Sequence, residues 1–162
     1  MPDTGPHIAV ATLCERVLTE GDGVLSIIRI VDRLIQTATG PEPPEQMPPF
    51  LVGDRDLRMV IALKSDQARG RVTVKIVVED PSGARIPVGE SDVTLQPGNL
   101  GANFNIGLNF AVQHEGVYWF DVLLGGPRNQ QDQLMTRVPL EVVYQRQRVV
   151  ASTPEEPTDE ER

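Results

Sequence analysis

NFNIGLNFAVQHEGVYWFDVLL, residues Asn103 to Leu124, consists of two runs of alternating apolar and polar residues joined at Gln113-His114-Glu115-Gly116. Phe104, Ile106, Leu108, Phe110 and Val112 take every second position of the first run; Tyr118, Phe120, Val122 and Leu124 do so in the second. Strand side chains point alternately to opposite faces, so each run gathers its large apolar groups on one side. A helix would scatter the same residues around its circumference. Burying each such side chain contributes about 1.5–3 kcal/mol of transfer free energy, which makes this stretch the largest single part of a core. Two alternating runs about a glycine turn predict an antiparallel hairpin. Tyr118 then faces inward, and Trp119, Asp121 and Leu123 face the other way.

The remaining chain repeats the pattern. Leu57, Met59, Ile61 and Leu63 mark one strand, and Val72, Val74, Ile76 and Val78 the next. Asp80-Pro81-Ser82-Gly83 carries the proline and glycine of a type I turn. Short strands are expected near Arg85–Val88 and Asp92–Leu95, a turn at Pro97-Gly98, a loop over 125–131, and a last strand from Leu134 to Tyr144. Pro139 within that strand implies an edge position or a bulge, because proline lacks the ladder donor. His7–Leu18 and Val24–Thr37 flank a Gly21-Asp22-Gly23 turn and fit either strands or amphipathic helices. The β-branched pairs Ile27-Ile28 and Ile30-Val31 favour a β-hairpin over 7–37, its second strand covered on both sides. Prolines crowd 38–49, which reads as an extended crossing over the surface. The whole predicts an all-β domain over 1–149, with sandwich strands over 50–145 and an acidic, disordered tail over 150–162.

Glu115-Gly116-Val117-Tyr118-Trp119-Phe120 resembles the opening of strand F in immunoglobulin-like domains, where the tyrosine hydroxyl bonds back to nearby backbone as a tyrosine corner. The resemblance implies that role for Tyr118 and Gly116. Phe120 stands where those domains place a disulfide cysteine, so the core relies on apolar packing alone. On that plan 57–64 is similar to strand B, 71–79 to C, 103–112 to E, 117–124 to F and 134–144 to G. The implied fold is an immunoglobulin-like, fibronectin-III-like β-sandwich of about eight to nine antiparallel strands. Leu13-Cys14-Glu15, Ser26-Ile27-Ile28, the Pro41–Pro49 crossing and Gly116–Phe120 together also resemble a bacterial family of single-domain β-sandwiches. That likeness implies a fold and no particular activity.

Net charge is −8, of which Glu155, Glu156, Asp159, Glu160 and Glu161 against Arg162 contribute −4. The remaining −4 is spread over the rest, which argues against nucleic acid or an anionic membrane as partner. A lone cysteine, Cys14, excludes an internal disulfide. No long uncharged apolar run or charged-then-apolar leader is present, so the expectation is a soluble cytoplasmic protein.

Chemistry-bearing patterns are sparse. His7 and His114 are the only histidines, and neither has a nucleophile beside it in the sequence. Cys14 reads as a small buried apolar group. Asp54-Arg55-Asp56 begins like a calcium loop but lacks the glycine and distal glutamate. Asn103, Asn105 and Asn109 would suit a sugar, with Trp119 the one tryptophan to stack on it. No catalytic, cofactor or metal residues are assigned, and no cofactor is expected. The expectation is a non-enzymatic module making protein–protein contacts, with an unknown protein partner or with itself. Its candidate surface is Trp119, Leu123 and Asp121; the alternative is that the N-terminal hairpin or a loop covers Trp119. A carbohydrate- or calcium-binding module is the competing class.

Overall fold

Branching at Cβ costs Val and Ile rotamer freedom in a helix and suits them to a pleated surface. The computed structural model, which describes residues 5–126 and 131–149, is accordingly all-β, with eleven strands and no α-helix among the described residues. The N-terminal part forms β1 (His7–Thr19), β2 (Leu25–Ile30) and β3 (Arg33–Gly40). β4 (Phe50–Leu51) leads through a 3-10 turn (Val52–Arg55) into β5 (Arg58–Asp66), β6 (Gly70–Glu79) and β7 (Arg85–Leu95). β8 (Gly98–Gly107), β9 (Ala111–Val112), β10 (Gly116–Gly125) and β11 (Gln133–Arg148) complete the order. None of the helical residues described forms a segment long and apolar enough to cross a membrane.

The strands form a four-stranded sheet, β2-β1-β5-β8, and a five-stranded sheet, β3-β11-β10-β6-β7, with β4-β9 as a short separate pair. Inner faces of both sheets share one core. Leu13, Met59, Ile61 and Leu63 come from the first sheet, and Val74, Ile76, Val78, Tyr118, Phe120 and Leu140 from the second. Phe110 bridges them, its ring centroid 5.8 Å from that of Phe120 and 6.1 Å from that of Tyr118.

Asn103–Leu124 is not a hairpin. β8 pairs with β5 in one sheet, whereas β10 lies between β6 and β11 in the other. The intervening residues drop through the interior, with Leu108, Phe110 and Val112 all buried. Their backbone is satisfied by the opposite chain segment: Leu108 N–H donates to the Leu57 carbonyl (2.9 Å) and Val52 N–H to that of Phe110 (3.0 Å). The two apolar faces therefore meet across the core instead of lying side by side.

The N-terminal hairpin is half of what 7–37 predicts. β1 and β2 pair antiparallel, closed by Gly23 N–H donating to the Glu20 carbonyl (2.9 Å). Val24–Thr37, however, is two strands in different sheets, because the chain crosses at Val31-Asp32 and enters β3 parallel to β11. β2 is not covered on both sides; Ile30 is 70% exposed. A straight β1 of 13 residues is about 40 Å long. Yet the turn residues Asp22 to Leu25 line the same groove as Val10, Val60, Ala62 and Asn103, so the strand pair bends back over the outside of β5. That cover explains why Val60 is buried without belonging to the central core.

Eleven strands replace the eight to nine expected, and the β3–β11 pairing is parallel. The segments at Arg85–Val88 and Asp92–Leu95 are one strand, β7, with a bulge where the register shifts opposite Ile76 and Val77. β3 runs into the expected crossing as far as Gly40. The proline segment after it is anchored by Tyr144 Oη donating to the Pro44 carbonyl (2.8 Å) and Arg146 to that of Pro43 (3.0 Å). Pro139 lies on β11 before its pairing with β3 begins, so one side of the strand there has no ladder partner. The tail over 150–162 lies outside the described residues.

Candidate interaction surface

β10 alternates as its sequence requires: Tyr118, Phe120 and Val122 are buried, while Trp119 is 37% exposed. Cross-strand register then decides what surrounds the indole. Trp119 sits between Pro139 on β11 and Glu79 on β6, and Asp121 between Arg137 and Val77. Glu79 is in turn opposite Arg85 of β7. Four charged side chains thus converge on the outer face of the five-stranded sheet.

Asp121 departs from the expected exposed position; it is only 3% exposed. Its carboxylate accepts from Arg137 Nε at 2.6 Å and is 2.9 Å from Arg85 Nη2. Glu79 Oε2 lies 3.0 Å from Arg85 Nη1 and 3.3 Å from Arg137 Nη2. The result is a ring of alternating charge in which each guanidinium spans two carboxylates. The hydrogen bond that Arg85 donates to Asp121, reinforced by Glu79, raises the Arg85 pKa. Arg137, held from two sides, lies over the Trp119 ring with its guanidinium carbon 5.2 Å from the centroid. Such a contact is worth roughly 0.5–1 kcal/mol at an exposed site, and it fixes the orientation of the indole. Arg137 covers part of Trp119.

Leu123 is half-buried on the same face, opposite Lys75. The Lys75 ammonium donates to both carboxylate oxygens of Asp132, at 3.0 and 2.9 Å, and that contact raises its pKa. Trp119 and Leu123 therefore belong to one surface, interrupted by the charge ring, with Asp121 beneath it as a support. Arg137, Arg85 and Glu79 were absent from the sequence-based surface. Glu79 and Arg85 flank the Asp80–Ala84 turn and so must pair across it, a signal present in the sequence. Arg137 becomes a neighbour of Asp121 only through the register of β10 with β11.

Behind this surface, Tyr118 Oη donates to the His114 carbonyl (3.0 Å) and accepts from His114 N–H (3.3 Å). Burial raises the Tyr118 pKa. Gly116 has φ 127°, and a Cβ there would stand 3.0 Å from Pro81, so both backbone and space call for glycine. Tyr144 N–H donates to Glu115 Oε1 (2.8 Å), tying the turn to β11.

The other sequence candidates lie elsewhere. Asn103 lines the groove outside β5, and Asn105 Oδ1 accepts from Arg58 Nε (2.6 Å), both on the four-stranded sheet. Trp119 is on the opposite side of the molecule, so the amides and the indole do not form one sugar platform. Asp54 and Asp56 are exposed, and among the described residues no group of three or more His, Cys, Asp or Glu is placed to hold a metal ion. Cys14 is fully buried, and desolvation raises its pKa, which leaves a protonated thiol. His7 Nδ1 is 2.5 Å from Asp66 Oδ2 at the surface.

No family model matches the chain, and no curated protein does either. Among solved structures, one that is similar is a β-glucosidase from Listeria innocua in complex with glucose, at 14% identity and a TM-score of 0.39. The match covers 71% of this chain and only 15% of the glucosidase, so the chain spans a small part of that protein's length.

Proposed function

We propose that the protein is a non-enzymatic, immunoglobulin-like module that makes protein–protein contacts through the outer face of its five-stranded sheet, centred on Trp119. The observation that carries the reading is an exposed indole held rigid by Arg137, which is itself tied to the buried Asp121. Tryptophan and arginine are the residues most enriched where binding energy concentrates, and a side chain ordered before contact loses less entropy on binding. The immunoglobulin-like part of the reading is supported by the pairing of β5 with β8 in one sheet and of β6, β10 and β11 in the other. The hydroxyl of Tyr118 turned back onto His114 supports it further.

The test is affinity purification from the native cell with wild type, Trp119→Ala and Asn105→Ala, the last on the opposite face. Loss of a partner only in Trp119→Ala, with an unchanged melting temperature, supports the reading. Retention of every partner by a folded Trp119→Ala protein refutes it.

A further inference from the structure

A β-strand at a sheet edge presents unpaired N–H and C=O groups, and folded proteins ordinarily blunt such edges. The two large sheets have four edges, formed by β2, β8, β7 and β3. β2 is broken by Arg29, whose φ of 55° interrupts the extended row. β7 carries Pro87 and a bulge. β8 lies against β7, the edge of the other sheet, with Gly89 so close that a Cβ there would stand 3.0 Å from the Ile106 side chain. β3 has none of these devices. Its eight residues contain no proline, no bulge and no positive φ, and no charge lies between Leu34 and Thr39.

The direction of its free groups follows from two bonds to β11. Glu141 N–H donates to the Asp32 carbonyl and Val149 N–H to that of Gly40, so even-numbered backbone groups point toward β11. Arg33, Ile35, Thr37 and Thr39 therefore point theirs the other way, where no strand is hydrogen-bonded to β3. Ile35 is 45% exposed at the middle of this row.

We propose that this edge pairs with the same edge of a second copy of the chain, antiparallel about a two-fold axis midway between the two Gln36 residues. Rotation about an axis perpendicular to a sheet keeps each side chain on its own face, so paired residues must share parity. In the register centred on Gln36, Ile35 meets Thr37 and Arg33 meets Thr39, and all are odd positions with outward backbone groups. By symmetry four residue pairs each exchange two bonds, about eight in all. No like charges come opposite one another, and a β-branched pair, Ile35 with Thr37, lies on each side of the axis. The two five-stranded sheets become one continuous sheet. This surface is distinct from the one around Trp119 and does not depend on it.

The test is sedimentation equilibrium from micromolar to millimolar concentration, with amide hydrogen exchange on the same samples. Wild type should approach twice the 17.8 kDa chain mass. The amides of Ile35, Thr37 and Thr39 should gain protection as it does so. Thr37→Pro removes a donor that faces away from β11, so it should leave the fold intact and the chain monomeric. Ile35→Lys, which alters no backbone group, should weaken the dimer at least tenfold and decides the matter if the proline variant unfolds. Trp119→Ala should dimerise as wild type does. A wild type that stays monomeric throughout, or a dimer that survives Ile35→Lys without change, overturns the proposal.

Discussion

Replacing Asp121 by alanine removes the one carboxylate that is buried among the described residues. Its side chain is 5% exposed, while those of Arg137 and Arg85 are 39% and 47% exposed. Breaking a fully buried pair costs about 3–5 kcal/mol, and an exposed pair contributes about 0–1. Here one partner is dry and two are wet, and Glu79 remains to hold both guanidiniums, so about 2 kcal/mol is the expected loss. For a domain of this size that lowers Tm by about 4–8 °C. Asp121→Asn, whose amide oxygen still accepts, should lose about half as much. A double-mutant cycle with Arg137→Ala should give a coupling of about 1 kcal/mol. Because Trp119 is the only tryptophan, its emission reports on the same event: freeing Arg137 should shift it to the red and raise its accessibility to acrylamide. Urea melts and quenching on the two single variants and the double decide the question. An Asp121→Ala protein within about 0.5 kcal/mol of wild type, with unchanged emission, refutes the claim that this carboxylate organises the surface.

Tyr118→Phe should cost about 1–2 kcal/mol in urea melts, since it leaves the His114 carbonyl without its hydroxyl donor. Gly116→Ala should cost about 1–3 kcal/mol for the same measurement, from positive φ and the contact with Pro81. The Ser82 hydroxyl, helped by the backbone N–H groups of Ala84 and Ser82, holds the Asp80 pKa below its ordinary 3.8. A depressed folded-state pKa contributes stability above the unfolded value, lost as pH falls through the folded one. Ser82→Ala should therefore show a shallower loss of stability with acid below pH 3.8 than wild type does. Cys14 should resist a thiol reagent in the native protein and react fully in denaturant; rapid labelling of the folded chain contradicts its burial.

Which residues face inward was legible from alternation alone, because a period of two is a property of one strand. Phe104, Leu108, Phe110, Tyr118, Phe120 and Val122 are all buried as that pattern requires. Which strand lies next to which was not. The same alternation suits a hairpin and two strands facing each other across a core, and only the partners taken from distant strands, β5 for β8 and β6 and β11 for β10, distinguish them. The break in Val24–Thr37 was hidden for a related reason: two residues, Val31 and Asp32, suffice to change sheets, and neither is a glycine or a proline. At the surface, Trp119 was legible as an outward residue. The burial of Asp121 was not, since an aspartate on an outer face is ordinarily solvated. It is dry because Arg137 from the adjacent β11 and Arg85 from β7, one strand beyond β6, close over it.

The parallel placement of β3 beside β11 also governs how the chain is made. Arg33 and Glu141, which bond across that seam at 2.6 Å, are 108 residues apart. At about 5–20 residues per second, the ribosome needs about 5–20 s to deliver the second after the first. Through that interval β3 has no neighbour on either flank, and the larger sheet closes only when the last strand has been delivered.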